Sequence, residues 1–308
     1  MKVLILKPQY KSKIWGSAYF KKKLDTALED KIGEMWTASA HQSGDLKIGN
    51  GALAGQTLSA VYRNYPKLFN YPALSDFPVL VKIIATAADL SIQVHPDDCY
   101  AEKHENDSGK TEGWLILDAA PAARIVYGHR AANKAEFTAL LTAGCYERLL
   151  NYQLVKPGEF YPIFAGTVHT IGKNIVLLEI QQSSDVTYRL YDYDRLDLNG
   201  RKRPLHIDKA LDVIKYQPVA PVRNLFSVSG RETVIWDNPY FKAILLNVAD
   251  KYRFPAFPFY AIATVVAGTF VVENEKVTFG NSFIVTALSF PLTITGSGRI
   301  VLTVPQKP

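Results

Sequence analysis

The residues most able to do chemistry sit in LSIQVHPDD, Leu90 to Asp98. Along an extended strand successive side chains alternate faces, so Ser91, Gln93 and His95 point one way while Ile92 and Val94 point the other. Three polar groups on one face of an apolar strand are costly in a core unless something satisfies them, and a metal ion would do so. After a turn-rich loop from Pro96 to Gly109, the run KTEGW puts Lys110 and Glu112 on a common face by the same alternation. The run PGEFYPIFAGTVHTIG, 157–172, then sets His169 on a strand just past a glycine turn at Gly166. Gln93, His95, Glu112 and His169 make a nitrogen and oxygen ligand set suited to zinc, with a position left open for substrate. Taken singly, each histidine reads better as a hydrogen-bonded core residue. The grouping with Gln93, Lys110 and Glu112 reverses that reading.

Strands must carry these residues, and strand signals dominate the chain. Short apolar runs such as VLVKII (79–84), WLILDA (114–119), RIVYG (124–128) and NIVLLEIQ (174–181) lie between Gly, Pro, Asn and Asp breaks. The pattern predicts a mainly β protein, a sandwich or jelly roll with a few helices. Asn133 and Glu136 form a capping box that opens a helical insert over about 133–150, with Phe137, Leu140, Leu141, Cys145 and Leu149 on one face. Shorter helices are predicted over 205–215 and through Leu58, Val61 and Tyr62. The proline-bearing YQPVAPVRN, 216–224, predicts a boundary between domains 1–216 and 217–308. All six histidines and both cysteines precede it, so metal chemistry is assigned to the first domain.

Composition narrows the function. At 308 residues, 48% hydrophobic and 21% charged, the chain has the apolar surface for about two folded domains, which excludes disorder. No window holds the roughly 18–20 consecutive apolar residues of a membrane span. The opening MKVLILKPQY has too short an apolar run for a signal peptide. Cys99 and Cys145 lack CxxC spacing, which excludes a disulfide framework and predicts a reduced, cytoplasmic setting. The net charge of +6 is spread thinly apart from 21–23 and 201–203. That argues against nucleic acid and suits a small anion such as a sugar phosphate. Nothing in the sequence specifies an oligomeric state.

The segments ADLSIQVHPDD, GKTEGW, GTVHTIG and EIQQSSDVTYRLYDYDR, with IWG at 14–16 and GEMWTASAH at 33–41, resemble the signature segments of type I mannose-6-phosphate isomerases in their short bacterial form. The resemblance runs from residue 14 to about 195 and is weak after 216. It implies a cupin jelly roll, a double-stranded β-helix carrying one Zn2+ per chain, followed by a smaller cupin-like domain without metal. It also implies zinc-dependent interconversion of mannose 6-phosphate and fructose 6-phosphate through a cis-enediol. Gln93, His95, Glu112 and His169 match the family's zinc ligands, with Gln93 the weakest match. Arg189 matches the active-site arginine, Lys110 and Glu179 the proposed proton-transfer residues, and Ser91 a proposed phosphate contact. Ser17 and Gly113 depart from the family pattern, which bears on loop shape and not on the ligand set.

The residues leave alternatives open. Either Glu179 or Lys110 is a candidate base, whereas Arg189, a permanent cation, suits holding negative charge. Arg189 could instead pair with Asp185, Asp192 or Asp194, and Trp36 and Trp114 read as core anchors. A rival enzyme class is an Fe(II)/2-oxoglutarate dioxygenase using His95, Asp97 and His169. Against it, Pro96 interrupts the ladder and turns Asp97 off the ligand face. A second rival is a non-catalytic cupin that binds sugar phosphate.

Overall fold

The computed structural model describes residues 2–70, 76–197, 199–289 and 291–306. The described chain is mainly β, as expected, with several antiparallel sheets. It divides into two compact units, each assembled from separated segments. One joins Met1–Tyr10, Met35–Ile83 and Asn224–Pro308; the other joins Lys11–Glu34 and Ile84–Arg223. This differs from a single cut between 216 and 217. The N-terminal strand Val3–Lys7 pairs antiparallel with Ser282–Val285, Val3 opposite Val285, which commits the chain's start to the sheet built near its end. Such a pairing depends on partners far apart in sequence and leaves no local signal.

The unit containing residues 84–223 carries every candidate site residue. The strands that carry or flank the site are β1 (Ile92–Val94), β2 (Glu112–Ala119), β3 (Arg124–His129), β4 (Leu150–Leu154), β5 (Glu159–Ile163), β6 (His169–Ile171), β7 (Ile175–Gln182) and β8 (Tyr188–Tyr191). One sheet runs in the order β8-β1-β6-β3-β4, and β5, β2 and β7 are consecutive in another. The centre of β2 and all of β7 are buried on both faces, which explains their nearly continuous apolar runs WLIL and IVLLEI. Trp114, Ile116, Ile125, Tyr127, Tyr161, Ile171 and Leu177 pack into one core cluster; Val94, Val126, Phe137, Leu149 and Leu190 belong to another.

Helices between these strands and after them are α1 (Asp98–Glu105), α2 (Lys134–Thr142), α3 (Tyr146–Leu149) and α4 (Ile207–Val213). Helices α2 and α3 occupy the expected insert, and α4 the expected second helix. Helix α1 corrects the reading of Pro96–Gly109 as a turn-rich loop and places His104 on a helix. Asp97 caps it by accepting the Tyr100 N–H at 3.1 Å, and Asn106 ends it in the left-handed region. Only Ala101 of this helix is buried, so it has almost no apolar stripe to read.

The second unit is built on a sheet in the order Glu232–Asp237, Phe241–Val248, Leu292–Pro305, Ala261–Val272, Ser282–Val285, Val3–Lys7, Lys47–Ile48. Its core includes Val3, Leu246, Phe254, Phe270, Phe283 and Ile300. The capping box that opens α2 supplies a test of the helix physics. The Asn133 side chain accepts the Glu136 N–H at 3.0 Å, while Glu136 Oε2 accepts the Ala132 N–H at 2.8 Å. Asn133→Ala should cost about 1 kcal/mol of stability in urea unfolding, with the denaturant slope unchanged.

Candidate metal centre and active site

Strand register brings the site together. In the first sheet Gln93 on β1 lies opposite His169 on β6 and, on its other side, opposite Arg189 on β8. Residues directly opposite in an antiparallel pair share a face, so Arg189, Gln93 and His169 form one row across three strands. In the second sheet Glu112 on β2 lies opposite Gln181 on β7, and Trp114 lies opposite Glu179. His95 follows β1 directly, and Lys110 precedes β2. Gly166, with φ of +88°, makes the turn that delivers the chain into β6 and His169.

Both imidazoles are aimed by the main chain. His95 Nδ1 lies 2.8 Å from the Val186 carbonyl oxygen, and His169 Nδ1 lies 2.9 Å from that of Thr167. A carbonyl only accepts, so each Nδ1 carries the hydrogen and each Nε2 of the neutral ring presents a lone pair. Those Nε2 atoms converge on Glu112, His95 at 3.4 Å from Oε2 and His169 at 3.4 Å from Oε1. One ligand atom from each of the three residues fits within a 4.8 Å span, and all three side chains are buried. Burial, the largest influence on His169, pushes its pKa down to about 4, which keeps the ring neutral near pH 7. Two imidazole lone pairs and a carboxylate converging in a dry interior form a donor set that fits a divalent cation, with nitrogen and oxygen ligands of the kind zinc takes.

The other expected residues surround this cluster. Lys110 is buried, with Nζ 3.2 Å from Glu112 Oε2 and 3.4 Å from His95 Nε2. Gln93 places its amide nitrogen 3.3 Å from His169 Nε2, and its Oε1 accepts from the buried Ser91 hydroxyl at 3.2 Å. Glu179 is buried, and its Oε2 accepts the Trp114 indole N–H at 2.9 Å. Arg189 makes no ion pair among the described residues. Its main-chain N–H donates to His206 Nδ1 at 3.1 Å, and burial followed by the nearby Arg203 charge lowers its pKa. Of the three carboxylates suggested as its partners, Asp192 pairs with Arg195 and Arg203 and Asp194 with Lys202, while Asp185 acts on Arg189 only through its charge. Asp97 is exposed and caps α1, outside the His95–Glu112–His169 cluster.

Trp114 is the residue whose part was not legible. It is a core anchor, as expected, with no exposed surface. It also ties two site residues together, donating to Glu179 while its ring meets that of His169 edge-on at 5.3 Å. An indole N–H buried beside an acidic strand position was the available signal, since such a donor needs a partner.

Antiparallel jelly-roll strands with two histidines and a glutamate converging between them define the cupin class. Residues 3–117 match the profile of the type I phosphomannose isomerase catalytic domain. Over 311 residues the chain is 37% identical to a Bacillus subtilis (strain 168) protein named probable mannose-6-phosphate isomerase GmuF, covering 98% of this chain and 99% of that one. The crystal structure of the mannose 6-phosphate isomerase from Bacillus subtilis superposes with a TM-score of 0.88 at 31% identity, over 98% of this chain and 99% of that one. A holo, zinc-bound mannose 6-phosphate isomerase shares the fold with a TM-score of 0.77 at 18% identity, over 99% of this chain and 100% of that one. The chain belongs to the type I phosphomannose isomerase family, and it is an enzyme, an isomerase of mannose 6-phosphate.

The buried histidine gives the metal-free chain a defined pH response. An ordinary imidazole titrates near 6.5, whereas His169 in the folded chain titrates at about 4. Between those values the unfolded chain binds a proton that the folded chain refuses, so stability is full above 6.5 and falls as pH drops through this window. The expected loss over the whole window is about 3 kcal/mol. Urea unfolding of chelator-treated protein should show it, and His169→Gln should flatten the pH slope by about one proton.

Proposed function

We propose that the chain interconverts mannose 6-phosphate and fructose 6-phosphate through a cis-enediol, with one zinc per chain held by His95, Glu112 and His169 and by the Gln93 carboxamide once its oxygen is turned inward. The observation that carries the reading is the pair of Nε2 lone pairs fixed on one buried carboxylate. When bound, zinc would supply Lewis-acid stabilisation of the charge that develops on the C1 and C2 oxygens of the sugar. Glu179 is the base: its carboxylate lies on the face that carries Glu112 and is oriented by Trp114. Lys110 stands as the ammonium partner of Glu112 and serves as the complementary proton donor and counter-charge. Arg189, with no carboxylate partner among the described residues, offers its guanidinium to the substrate's phosphate or to the enediolate oxygen. Ser91 sits behind Gln93 and holds the amide, so the phosphate falls to Arg189.

The setting we propose is the cytoplasm, since Cys99 and Cys145 are both free thiols. No helix among the described residues is long and apolar enough to cross a membrane. A sugar-phosphate sensor without turnover would have no use for a buried carboxylate and ammonium beside the metal ligands, which favours the enzyme.

A coupled assay should detect fructose 6-phosphate made from mannose 6-phosphate, abolished by a chelator and restored by zinc. Elemental analysis should return about one zinc per chain. Glu112→Ala should lose the metal and the activity together. Arg189→Ala should keep the metal and lose on the order of a hundredfold in kcat; an Arg189→Ala enzyme as active as the parent would remove the role given to that cation.

A further inference from the structure

Lys110 and Glu112 enter the cluster from a stretch whose middle residue, Thr111, turns its side chain the other way, where its hydroxyl accepts the Ala165 N–H at 3.4 Å. The main chain of Thr111 is gripped by one residue, Gln182, at the end of β7. Gln182 Oε1 accepts the Thr111 N–H at 2.8 Å, and the Gln182 N–H donates to the Thr111 carbonyl at 3.1 Å. The other end of the same carboxamide, Nε2, donates to Asp98 Oδ1 at 2.8 Å, and that oxygen also accepts the Gly109 N–H at 2.9 Å. The Lys110 N–H donates to the Pro96 carbonyl at 3.0 Å. There is no slack in this corner, because a Cβ on Gly109 would lie 2.4 Å from the Asp98 nitrogen. Gln182 itself is buried.

We propose that Gln182 is a positioning residue of the isomerase site. Its carboxamide joins the end of β7, the start of α1 and the entry to β2, and through the Thr111 main chain it sets where Lys110 and Glu112 stand relative to His95. The group has to be a carboxamide. An acceptor is needed toward Thr111 and a donor toward Asp98 at the same moment, and a hydrocarbon would leave the Thr111 N–H buried without an acceptor. A carboxylate would set like charges against each other at Asp98. The inference rests on the zinc isomerase reading for its kinetic consequence, but its effect on metal binding can be measured independently of turnover.

Gln182→Met keeps the length of the side chain and removes both polar ends. Zinc competition against a chromogenic chelator should show affinity about 10- to 100-fold weaker, the usual cost of losing a group that orients metal ligands. In the coupled assay kcat should fall by a similar factor while KM for mannose 6-phosphate stays within about twofold. Gln182→Glu should lose zinc affinity as well, and the double variant Gln182→Glu with Asp98→Asn should regain most of it, since the asparagine supplies the donor now missing and keeps an oxygen for Gly109. A Gln182→Met protein with the parent's zinc affinity and kcat would overturn the proposal, as would a double variant no better than Gln182→Glu alone. A parent chain that binds zinc but turns over no mannose 6-phosphate would instead defeat the functional reading, and the affinity measurements would still decide the role of Gln182.

Discussion

Two hydrogen bonds from imidazole Nδ1 to main-chain carbonyls govern what this site can do. They fix the tautomer of His95 and His169, and with it the direction of both Nε2 lone pairs. The Thr167 carbonyl lies within the same turn that introduces His169, so that ring is aimed by local backbone geometry. The Val186 carbonyl comes from the segment leading into β8, so the His95 ring is aimed from the other side of its own strand's ladder. Neutral rings in this orientation are costly to bury beside a carboxylate without a cation between them, and that cost is the physical basis for reading the cluster as a metal centre.

Several carboxylates near the end of β8 are committed to other cations. Asp192 is held by Arg195 and Arg203 together, Asp194 by Lys202, and Glu105 by Lys209 and the Tyr188 hydroxyl. Of these, Asp192 is the carboxylate whose charge also reaches Arg189. A half-buried guanidinium opposite Gln93, with its enclosed Nε–H donating to no protein acceptor, is a cation kept available for a mobile anion. Asp192 thus staples the segment after β8 by binding two other arginines, and it makes no ion pair with Arg189.

The alternation of LSIQVH and KTEGW puts Gln93 with His95 and Lys110 with Glu112, because face alternation is a local property of extended backbone. The capping box at Asn133 was legible for the same reason, since its partners lie three residues apart. What escaped was non-local or weakly patterned. The pairing of Val3–Lys7 with Ser282–Val285 spans nearly the whole chain, so a boundary drawn from the prolines at 218 and 221 could not anticipate units made of separated segments. Helix α1 buries one alanine and reads as polar loop. Trp114 looked like a packing residue because its bulk is evident in sequence, while the partner of its indole N–H is not.

Asp97 shows how a local backbone need decides between reaction classes. In sequence, His95-Pro-Asp97 followed by His169 formally satisfies the two-histidine, one-carboxylate pattern of iron oxygenases, although Pro96 argues against it. In the fold, the chain after Pro96 turns at once into α1, whose first N–H groups lack partners within the helix. Asp97 answers one of them by accepting the Tyr100 N–H, and the geometry of that cap points its carboxylate along the helix start and into solvent. An oxygen committed to a cap and exposed to water does not also complete a buried ligand triad. Glu112 is buried between the two imidazoles, and the carboxylate of this site is therefore the one from β2.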